Sequence, residues 1–258
     1  MRIEAIIFDL GGTLLEYSGG YESWPELEAP GFKAAHEYLG AAGISLPNLN
    51  EFQKSGFDLL PRRWQMATSG ERNLTVPSLL SELLASFDMK LPADKLLDEA
   101  ASRYQTAVCA GVTPMPDSSQ TVRSLKERGY KLGLVSNTMF SGAMHIADMR
   151  KHDLDSFFDT MVFSADVNKW KPDPAPFQHV LEILGVTSSH AVFVGDDPGA
   201  DVVGGQRAGL FTIHYPSSQR FSSPDGFRPD ATISGLNELP GLVSRLNGFS
   251  GHDTLASP

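Results

Sequence analysis

The chain contains little cysteine, no excess of basic residues and no long apolar run. Cys109 is the only cysteine among 258 residues, so no intrachain disulfide can form and a reducing compartment is favoured. The net charge of −10 argues against a surface for nucleic acid or acidic membranes, because phosphate groups bind to basic patches. The first apolar run ends at Asp9, and no later stretch approaches the ~20 apolar residues of a membrane helix. We therefore expect a cytoplasmic protein, monomeric or homodimeric, that binds neither nucleic acid nor membranes.

Five short apolar runs predict the strands of a parallel sheet. They are rich in β-branched and aromatic residues and show little polar alternation, as in strands buried on both faces. Helix-like segments at 118–129, 174–185 and, more weakly, 201–209 separate the later runs. This alternation of strand and helix predicts an α/β fold with a doubly wound, Rossmann-like parallel sheet. The predicted strands span 3–8, 131–136, 160–164, 191–195 and 210–215.

No comparable strand run occurs between residues 17 and 110. Apolar residues there recur at helical spacing, which predicts a smaller all-helical domain inserted after the first strand. We call residues 17–110 the helical insert, and the predicted core domain comprises residues 1–16 and 111–247. Residues 248–258 are small and polar and are predicted to be a disordered tail. The predicted helices of the insert span 31–43, 49–67, 75–87 and 92–110.

Polar residues follow the first two predicted strands of the core. Asp9 begins the sequence DLGGT, where a carboxylate can attack phosphorus or carbon, bind a metal, or only cap a turn. Thr13, in the same sequence, is a candidate for turn capping and substrate contact. Ser136 can donate to an anionic oxygen and Asn137 can orient a substrate, although both are also common turn residues.

A lysine and three aspartates follow the later strands. Lys171 precedes a proline in KWKPDP and is a compact cation suited to a phosphate, the alternative being a solvated surface lysine. Asp196, Asp197 and Asp201 lie within six residues after a buried strand, where carboxylates are costly unless a cation neutralises them. Oxygen ligands suit Mg²⁺, so this cluster predicts a magnesium site. The seven histidines show no zinc-ligand spacing.

In this order, the aspartate, the serine, the Lys-Pro pair and the Gly-Asp-Asp sequence resemble the four motifs of the haloacid dehalogenase-like (HAD) hydrolases. The resemblance covers residues 3–215, and the helical insert is similar to the cap that this family places after its first motif. It implies a hydrolase but leaves the substrate open, because one fold hosts many chemistries.

The resemblance implies a role for each motif residue. Asp9 would be the nucleophile that forms an aspartyl-phosphate, and Ser136 and Lys171 would hold the phosphoryl oxygens. Mg²⁺ would be bound by the Asp9 carboxylate and the backbone carbonyl of Gly11. Asp196 would be a further ligand, and Asp197 or Asp201 would complete the acidic site, either at the metal or just behind its ligands.

Gly11 departs from the pattern of the family. Its phosphatases usually carry an aspartate at this position, which protonates the leaving oxygen and then activates the attacking water. Glycine keeps the backbone carbonyl but removes an acid/base that is worth roughly 10²–10⁴-fold in rate. We therefore expect slow turnover of alkyl phosphates and a smaller loss for acyl or aryl phosphates, unless Glu16 or a residue of the insert takes the role.

Three alternatives to a magnesium-dependent phosphatase remain open. In the dehalogenase branch Asp9 would attack carbon without a metal, but the intact pair of Asp196 and Asp197 argues against that branch. Phosphonate cleavage would need a Schiff-base lysine from the insert, for which Lys33 and Lys54 are candidates. The third alternative is a non-catalytic protein that binds a phosphorylated ligand.

The helical insert is expected to close over the site and select the substrate. Its sequence LPRRW places Arg62 and Arg63 beside Trp64, where they could bind an anionic or planar group. The simpler interpretation is that both arginines are solvated on the surface and that the tryptophan belongs to the apolar core. We expect the substrate to be a small phosphorylated metabolite.

Overall fold

The computed structural model describes residues 2–17, 24–90, 92–216 and 221–248. The predicted tail lies outside these ranges except for Gly248, which is the last residue of a helix. Within the described ranges, no helix combines the length and the apolar character that crossing a membrane requires.

A six-stranded parallel sheet forms the centre of the core. Its strand order is β5-β4-β1-β6-β7-β8, and a separate antiparallel pair joins β2 to β3. Each predicted run contains one of these strands, and the predicted doubly wound α/β fold is confirmed. The strands are β1 (Ala5–Phe8), β2 (Leu15–Glu16), β3 (Thr113–Pro114), β4 (Lys131–Ser136), β5 (Thr160–Phe163), β6 (Ala191–Gly195), β7 (Phe211–His214) and β8 (Ala231–Thr232).

Helices cover both faces of the sheet and form the insert. Helix α6 was not predicted, because its buried face includes His145 and Asp148 and so lacks an apolar period. Helix α10 and strand β8 were also missed, since both are short and the helix carries a proline and a glycine in its first turn. The helices are α1 (Ala29–Ala41), α2 (Leu49–Thr68), α3 (Val76–Ala85), α4 (Asp94–Val108), α5 (Ser118–Glu127), α6 (Gly142–Lys151), α7 (Ser164–Val167), α8 (Ala175–Leu184), α9 (Gly204–Arg207) and α10 (Leu239–Gly248).

Two apolar clusters bury the two faces of the sheet. On one face α5, α6 and α10 pack against alternate residues of the strands, such as Phe8, Leu134 and Val194. On the other face α8 packs its Phe177 and Val180 against the strands. Because side chains alternate along a strand, burial on both faces requires the continuous apolar runs seen in the sequence.

The register of the central strands aligns their carboxyl ends. Phe8 of β1 lies opposite Leu134 of β4 on one side and opposite Val194 of β6 on the other. The polar residues that follow these three strands therefore meet at one edge of the sheet. The chain reverses direction across the sheet at β1, which is where ligands bind in open α/β sheets.

Helices α1 to α4 pack around an apolar cluster of their own. Gly31 is required there, because a Cβ at this position would lie 2.6 Å from the Tyr104 ring. Helix α2 begins at a cap in which the Asn48 side chain accepts from the backbone N–H of Glu51 at 3.1 Å. This separate cluster is consistent with the predicted helical domain, whose boundaries remain a prediction.

Core residues anchor the insert above the edge of the sheet. Trp170 is buried in the insert cluster, and its Nε1–H donates to Asn73 Oδ1 at 3.0 Å. The backbone N–H of Val76 donates to the carbonyl oxygen of Met139 at 3.1 Å. The ladder between β2 and β3 pairs the chain entering the insert with the chain leaving it. The insert therefore covers the edge where the polar residues meet.

Candidate active site

Asp9 is the first residue beyond the central strand. Its backbone N–H donates to the Val194 carbonyl at 2.9 Å, which continues the pairing of β1 with β6, and the residue as a whole is 6% exposed. The chain then turns sharply, with the N–H of Leu14 donating to the carbonyl of Leu10 at 2.8 Å. Gly12 has φ +84°, a conformation that favours glycine, so this residue serves the turn.

Lys171 is held by carboxylates on two sides. Its Nζ donates to Asp9 Oδ1 at 2.5 Å, to Asp201 Oδ1 at 2.6 Å and to the Val135 carbonyl at 2.9 Å. Lys171 is only 2% exposed, so the solvated-surface interpretation is excluded. Asn137 fixes its backbone with two hydrogen bonds of 2.8 Å, one donated by Asn137 Nδ2 and one accepted by Asn137 Oδ1. In this structure Asn137 therefore positions the lysine.

Three buried carboxylates converge beside this lysine. Each of Asp9, Asp196 and Asp201 offers an oxygen, and these oxygens all lie within 4.8 Å of one another. Gly195 allows this approach, because a Cβ on it would collide with the Asp201 side chain. Three oxygen donors at this separation fit the all-oxygen ligation that Mg²⁺ requires.

Asp197 has a different position in the acidic loop, which we define as residues 196–201. Its Oδ1 accepts from the backbone N–H groups of Gly199 at 2.7 Å and Ala200 at 2.9 Å, so it caps the following turn. Its own backbone N–H donates to Asp201 Oδ2 at 3.0 Å. Asp197 thus shapes the loop that carries Asp201 and is not one of the three converging carboxylates.

Burial makes the charges of this site depend on one another. Burial raises the pKa of Asp9, Lys171 lowers it and Asp201 raises it further. Burial raises the pKa of Asp197 as well, with Asp201 adding to the effect. For Lys171, burial acts to lower the pKa, but the carboxylates of Asp201 and Asp9 outweigh it and raise the pKa above its ordinary value. The lysine therefore stays protonated and positively charged. A divalent cation bound beside the aspartates would favour their ionised forms.

Gly11 lines the cavity above these groups, and its backbone does not require glycine. Its φ does not lie in the left-handed region. A Cβ built on it would lie 3.5 Å from Cδ2 of Tyr17, an ordinary contact distance. Both the backbone conformation and the available space would therefore allow a side chain at position 11. Glycine in place of the aspartate usual in the family changes the chemistry of the site, and packing does not require it.

A chain of neutral hydrogen-bonding groups lies beside Gly11. The Tyr17 hydroxyl is 2.6 Å from His145 Nδ1, and His145 Nε2 is 2.7 Å from Thr138 Oγ1. Burial lowers the pKa of His145 to about 4, so the imidazole is neutral near pH 7. Sequence reasoning did not identify this chain, because 128 residues separate the tyrosine from the histidine and no local pattern joins them.

A cavity of about 580 Å³ connects the edge of the sheet to the insert. Its core end includes Asp9, Ser136, Lys171 and the acidic loop. The insert contributes a different set of side chains, of which the described ones are Tyr17, Trp24, Leu27, Glu28, Trp64, Thr68 and Val108. The predicted nucleophile, serine, lysine and aspartates are thus brought together at one cavity.

Several predicted residues lie away from this cavity. Thr13 is fully buried and does not line it. Arg63 is also fully buried, and its Nη2 donates to the Asn73 carbonyl at 3.1 Å while its Nε lies 3.4 Å from Glu82 Oε2. Arg62 and Glu16 are likewise absent from the described lining. In this structure the two arginines therefore do not face the cavity.

The two lysines nominated for Schiff-base chemistry lie on the exposed surface of the insert. Lys33 Nζ is 3.8 Å from Glu37, and Lys54 Nζ is 2.7 Å from Asp58. Both pairs join residues four apart on one helix and are solvent-exposed. Neither lysine lines the described part of the cavity.

A carboxylate follows the central strand of the sheet, and an acidic loop follows the neighbouring strand. This arrangement is typical of a Rossmann-like hydrolase. Residues 3–209 match the family model of haloacid dehalogenase-like hydrolases, and the chain belongs to that family. The match extends from β1 past the acidic loop. The family identified from the four motifs is confirmed, as is the prediction of a hydrolase.

Similar proteins carry names from two branches of the family. Pyrophosphatase PpaX of Bacillus cereus (strain B4264) is 32% identical over 248 residues, which cover 96% of this chain and 99% of that protein. Pyrophosphatase PpaX of Bacillus mycoides (strain KBAB4) is 32% identical over 154 residues, 58% of this chain and 64% of its own length. A 2-haloacid dehalogenase from Pseudomonas syringae pv. Tomato DC3000 is 25% identical, with TM-score 0.69 over 95% of this chain and 100% of that one.

Proposed function

We propose that this protein is a magnesium-dependent phosphatase that acts on a small phosphorylated metabolite through an aspartyl-phosphate at Asp9. The observation that carries the proposal is the convergence of the Asp9, Asp196 and Asp201 oxygens within 4.8 Å beside the buried Lys171. Phosphoryl transfer needs positioning and charge neutralisation, and this arrangement offers both. The relatives named as pyrophosphatases support chemistry at phosphorus.

In the first step, an Asp9 carboxylate oxygen forms a bond to phosphorus as the bond to the leaving oxygen breaks. The leaving oxygen takes the electron pair of the broken bond. Water then attacks phosphorus, the bond between phosphorus and Asp9 breaks, and the carboxylate returns with release of phosphate. Asp9 is suited to this role because it lies beyond the central strand and faces the cavity.

Lys171 would stabilise the negative charge in both steps. All three of its N–H groups are engaged, with Asp9, Asp201 and the Val135 carbonyl as acceptors. When the Asp9 carboxylate is bonded to phosphorus as an acyl phosphate, it loses its formal negative charge and holds the ammonium less strongly. One N–H of Lys171 can then turn to a phosphoryl oxygen, with the Ser136 hydroxyl as a second donor.

The fit of the three carboxylates to Mg²⁺ assigns Asp9, Asp196 and Asp201 as its candidate ligands, with the Gly11 carbonyl as a fourth. Bound there, the ion would supply positive charge for the phosphoryl oxygens and the surrounding carboxylates. Asp197, which caps the loop, would act by holding Asp201 in place.

The leaving group must depart without an acidic residue at position 11. This limits the protein to leaving groups of low basicity, such as aryl and acyl oxygens, for which protonation contributes least. A reducing, cytoplasmic location is predicted from the single cysteine, and a monomeric or homodimeric state is a further prediction.

The test compares the intact chain with Asp9→Asn on p-nitrophenyl phosphate and acetyl phosphate, with Mg²⁺ and with a chelator. We expect the intact chain to release phosphate only with Mg²⁺ and Asp9→Asn to release essentially none. Asp58→Asn is the matched control, because Asp58 is an exposed aspartate of the insert. Folded protein that releases no phosphate from either ester, or Asp9→Asn with full activity, would contradict the proposal.

The dehalogenase similarity favours one competing function. The chain is 25% identical to a 2-haloacid dehalogenase, so the second candidate function is attack of Asp9 on carbon. Carbon attack needs no metal and gives no reason for three carboxylates to converge. Halide release from 2-haloacids in the presence of a chelator, without phosphate release from esters, would favour the dehalogenase.

A further inference from the structure

The cavity has two chemically different ends. If the proposed phosphatase function holds, the phosphoryl group occupies the core end, between Asp9 and Lys171. The rest of the substrate, which becomes the leaving group, must then extend toward the insert. The side chains of that end decide which leaving groups can bind.

Aromatic side chains form a wall at the insert end. The rings of Trp24 and Trp64 are 6.0 Å apart between centroids and cross at 67°. Trp64 also meets Trp170 edge-to-face, with centroids 5.1 Å apart and an angle of 82°. Trp170 is itself fixed by its hydrogen bond to Asn73. Trp64 is therefore held in place from two sides, and both Trp24 and Trp64 line the cavity.

One carboxyl group of the insert lines the same end. Glu28 is 8% exposed, and its Oε2 accepts no hydrogen bond from any described residue. Burial raises the pKa of Glu28 to about 7, an effect that the neighbouring Tyr104 partly opposes. A neutral carboxyl group can donate one hydrogen bond and accept others. Glu28 is thus the one carboxyl group among the described insert residues of the lining, where Tyr17 and Thr68 add neutral hydroxyls and the other side chains are apolar or aromatic.

Among the described residues of the insert, none at the lining offers a cation to a second anionic group. No described residue of the insert that lines the cavity is a lysine or an arginine. The sequence of residues 18–23, SGGYES, contains no lysine or arginine either. Among the described lining residues, the lysines and arginines are Lys171, which already binds two carboxylates, and the exposed Arg207 beyond the acidic loop. Among the described lining residues of the insert end, an anion would lose part of its hydration and would meet apolar side chains, neutral hydroxyls and a carboxyl group but no cation.

We propose that the insert end is a leaving-group subsite for a planar aromatic group with one polar atom directed at Glu28, so that aryl phosphate monoesters are preferred to pyrophosphate. Trp24 and Trp64 provide flat apolar surfaces for the ring, and Glu28 selects its polar atom. The subsite sets this protein apart from the activity that the name of its PpaX relatives describes.

The test compares 1-naphthyl phosphate, acetyl phosphate and pyrophosphate as substrates of the intact chain with Mg²⁺. None of these leaving groups depends strongly on an acid catalyst, so a higher kcat/KM for the aryl ester than for the intrinsically more reactive acetyl phosphate reports how well each fits the subsite. We expect 1-naphthyl phosphate to exceed acetyl phosphate by about 10-fold and pyrophosphate by about 100-fold. Pyrophosphate hydrolysis within about 3-fold of the aryl ester would overturn the inference while leaving the phosphatase function intact.

A substitution of Trp64 tests whether the aromatic wall itself causes the preference for the aryl ester. Trp64→Leu keeps an apolar side chain but removes the aromatic face, and should lower kcat/KM for 1-naphthyl phosphate by roughly 10-fold. Its activity on acetyl phosphate should change by less than about 3-fold. Tyr38→Leu is the control, because Tyr38 packs against Arg103 on the insert and does not line the cavity. Equal losses on both substrates would count against the subsite.

A binding measurement separates the subsite from catalysis. The chain has only three tryptophans, and all three belong to this aromatic cluster. We expect 4-nitrobenzyl alcohol, which carries no phosphate, to quench their fluorescence with a saturable dependence in the intact chain and in Asp9→Asn, and more weakly in Trp64→Leu. Saturable quenching without any turnover would retain the subsite and reject the phosphatase. Linear, non-saturable quenching would reject the subsite.

Discussion

Replacing Glu28 by glutamine should make the stability of the protein less sensitive to a rise in pH from about 5 to about 8. Glu28 is 8% exposed, and burial raises its pKa from 4.5 to about 7 against the opposing effect of Tyr104. The unfolded chain therefore ionises Glu28 near its ordinary pKa, while the folded protein keeps the proton until about pH 7. Because the folded state binds more protons in this window, its stability falls as the pH rises from 4.5 to 7 and then levels off.

The difference between the folded and unfolded pKa of Glu28 sets the size of this effect. A tenfold change in an ionisation constant is worth about 1.4 kcal/mol, so the rise in pKa corresponds to about 3 kcal/mol, of which about 2.5 kcal/mol falls between about pH 5 and pH 8. A glutamine amide does not ionise and avoids this loss. The free energy of unfolding of Glu28→Gln, relative to the intact chain, should therefore increase by about 2.5 kcal/mol over the same range. Both proteins share Asp9, Tyr104 and Cys109, so the contributions of those groups largely cancel.

Urea unfolding followed by circular dichroism at pH 5, 6, 7 and 8 measures this difference. Glu37→Gln is the control, because Glu37 lies on the exposed face of α1 beside Lys33. Its difference from the intact chain should stay within about 0.5 kcal/mol at every pH. A Glu28→Gln difference that does not change with pH would refute the reasoning, since Glu28 would then ionise alike in the folded and unfolded states.

Three further substitutions test the site and the insert. Gly11→Asp should raise kcat for alkyl phosphates by roughly 100-fold in a phosphate-release assay, and an unchanged rate would mean that another group already supplies the proton. Lys171→Met should abolish turnover and lower the free energy of unfolding by about 3–5 kcal/mol in urea, because it leaves buried carboxylates without their ammonium partner. A folded, active variant would show that the lysine is dispensable. Gly31→Ala should cost about 1–3 kcal/mol in thermal or urea unfolding, because its Cβ meets Tyr104. Gly40→Ala, in open space on the same helix, should be neutral or stabilising, and equal losses in both would contradict the steric argument.

The parallel sheet could be predicted because its signals are local. A strand buried on both faces must be apolar throughout, and this is visible in the residues of β1 and β6. The polar residues that end such strands are equally visible, so Asp9 and Asp196 could be predicted to lie close together from the strand pattern and the family resemblance. Helix α6 was missed because polar groups, including His145 and Asp148, occupy its buried face.

The features of the cavity that depend on tertiary packing could not be predicted. Arg63 and Trp64 are adjacent in LPRRW, yet Arg63 is buried toward Asn73 while Trp64 faces the cavity. Adjacent positions on a helix point in directions about 100° apart, so one motif cannot serve one site with both side chains. Glu28 gave no signal at all, because an isolated glutamate before a helix usually marks an exposed first turn.

Gly11 and the insert end of the cavity restrict different properties of the substrate. The missing acid at position 11 restricts the basicity of the leaving oxygen, and pyrophosphate satisfies that restriction as well as an aryl ester does. The largely apolar wall with Glu28 restricts the charge of the leaving group. Pyrophosphate does not meet this second restriction, because its second phosphate would find no cation among the described lining residues of the insert. Only leaving groups that are both weakly basic and uncharged satisfy both conditions. If the subsite is correct, Gly11→Asp should widen the range of acceptable esters without admitting pyrophosphate, since it changes the first restriction and leaves the second in place.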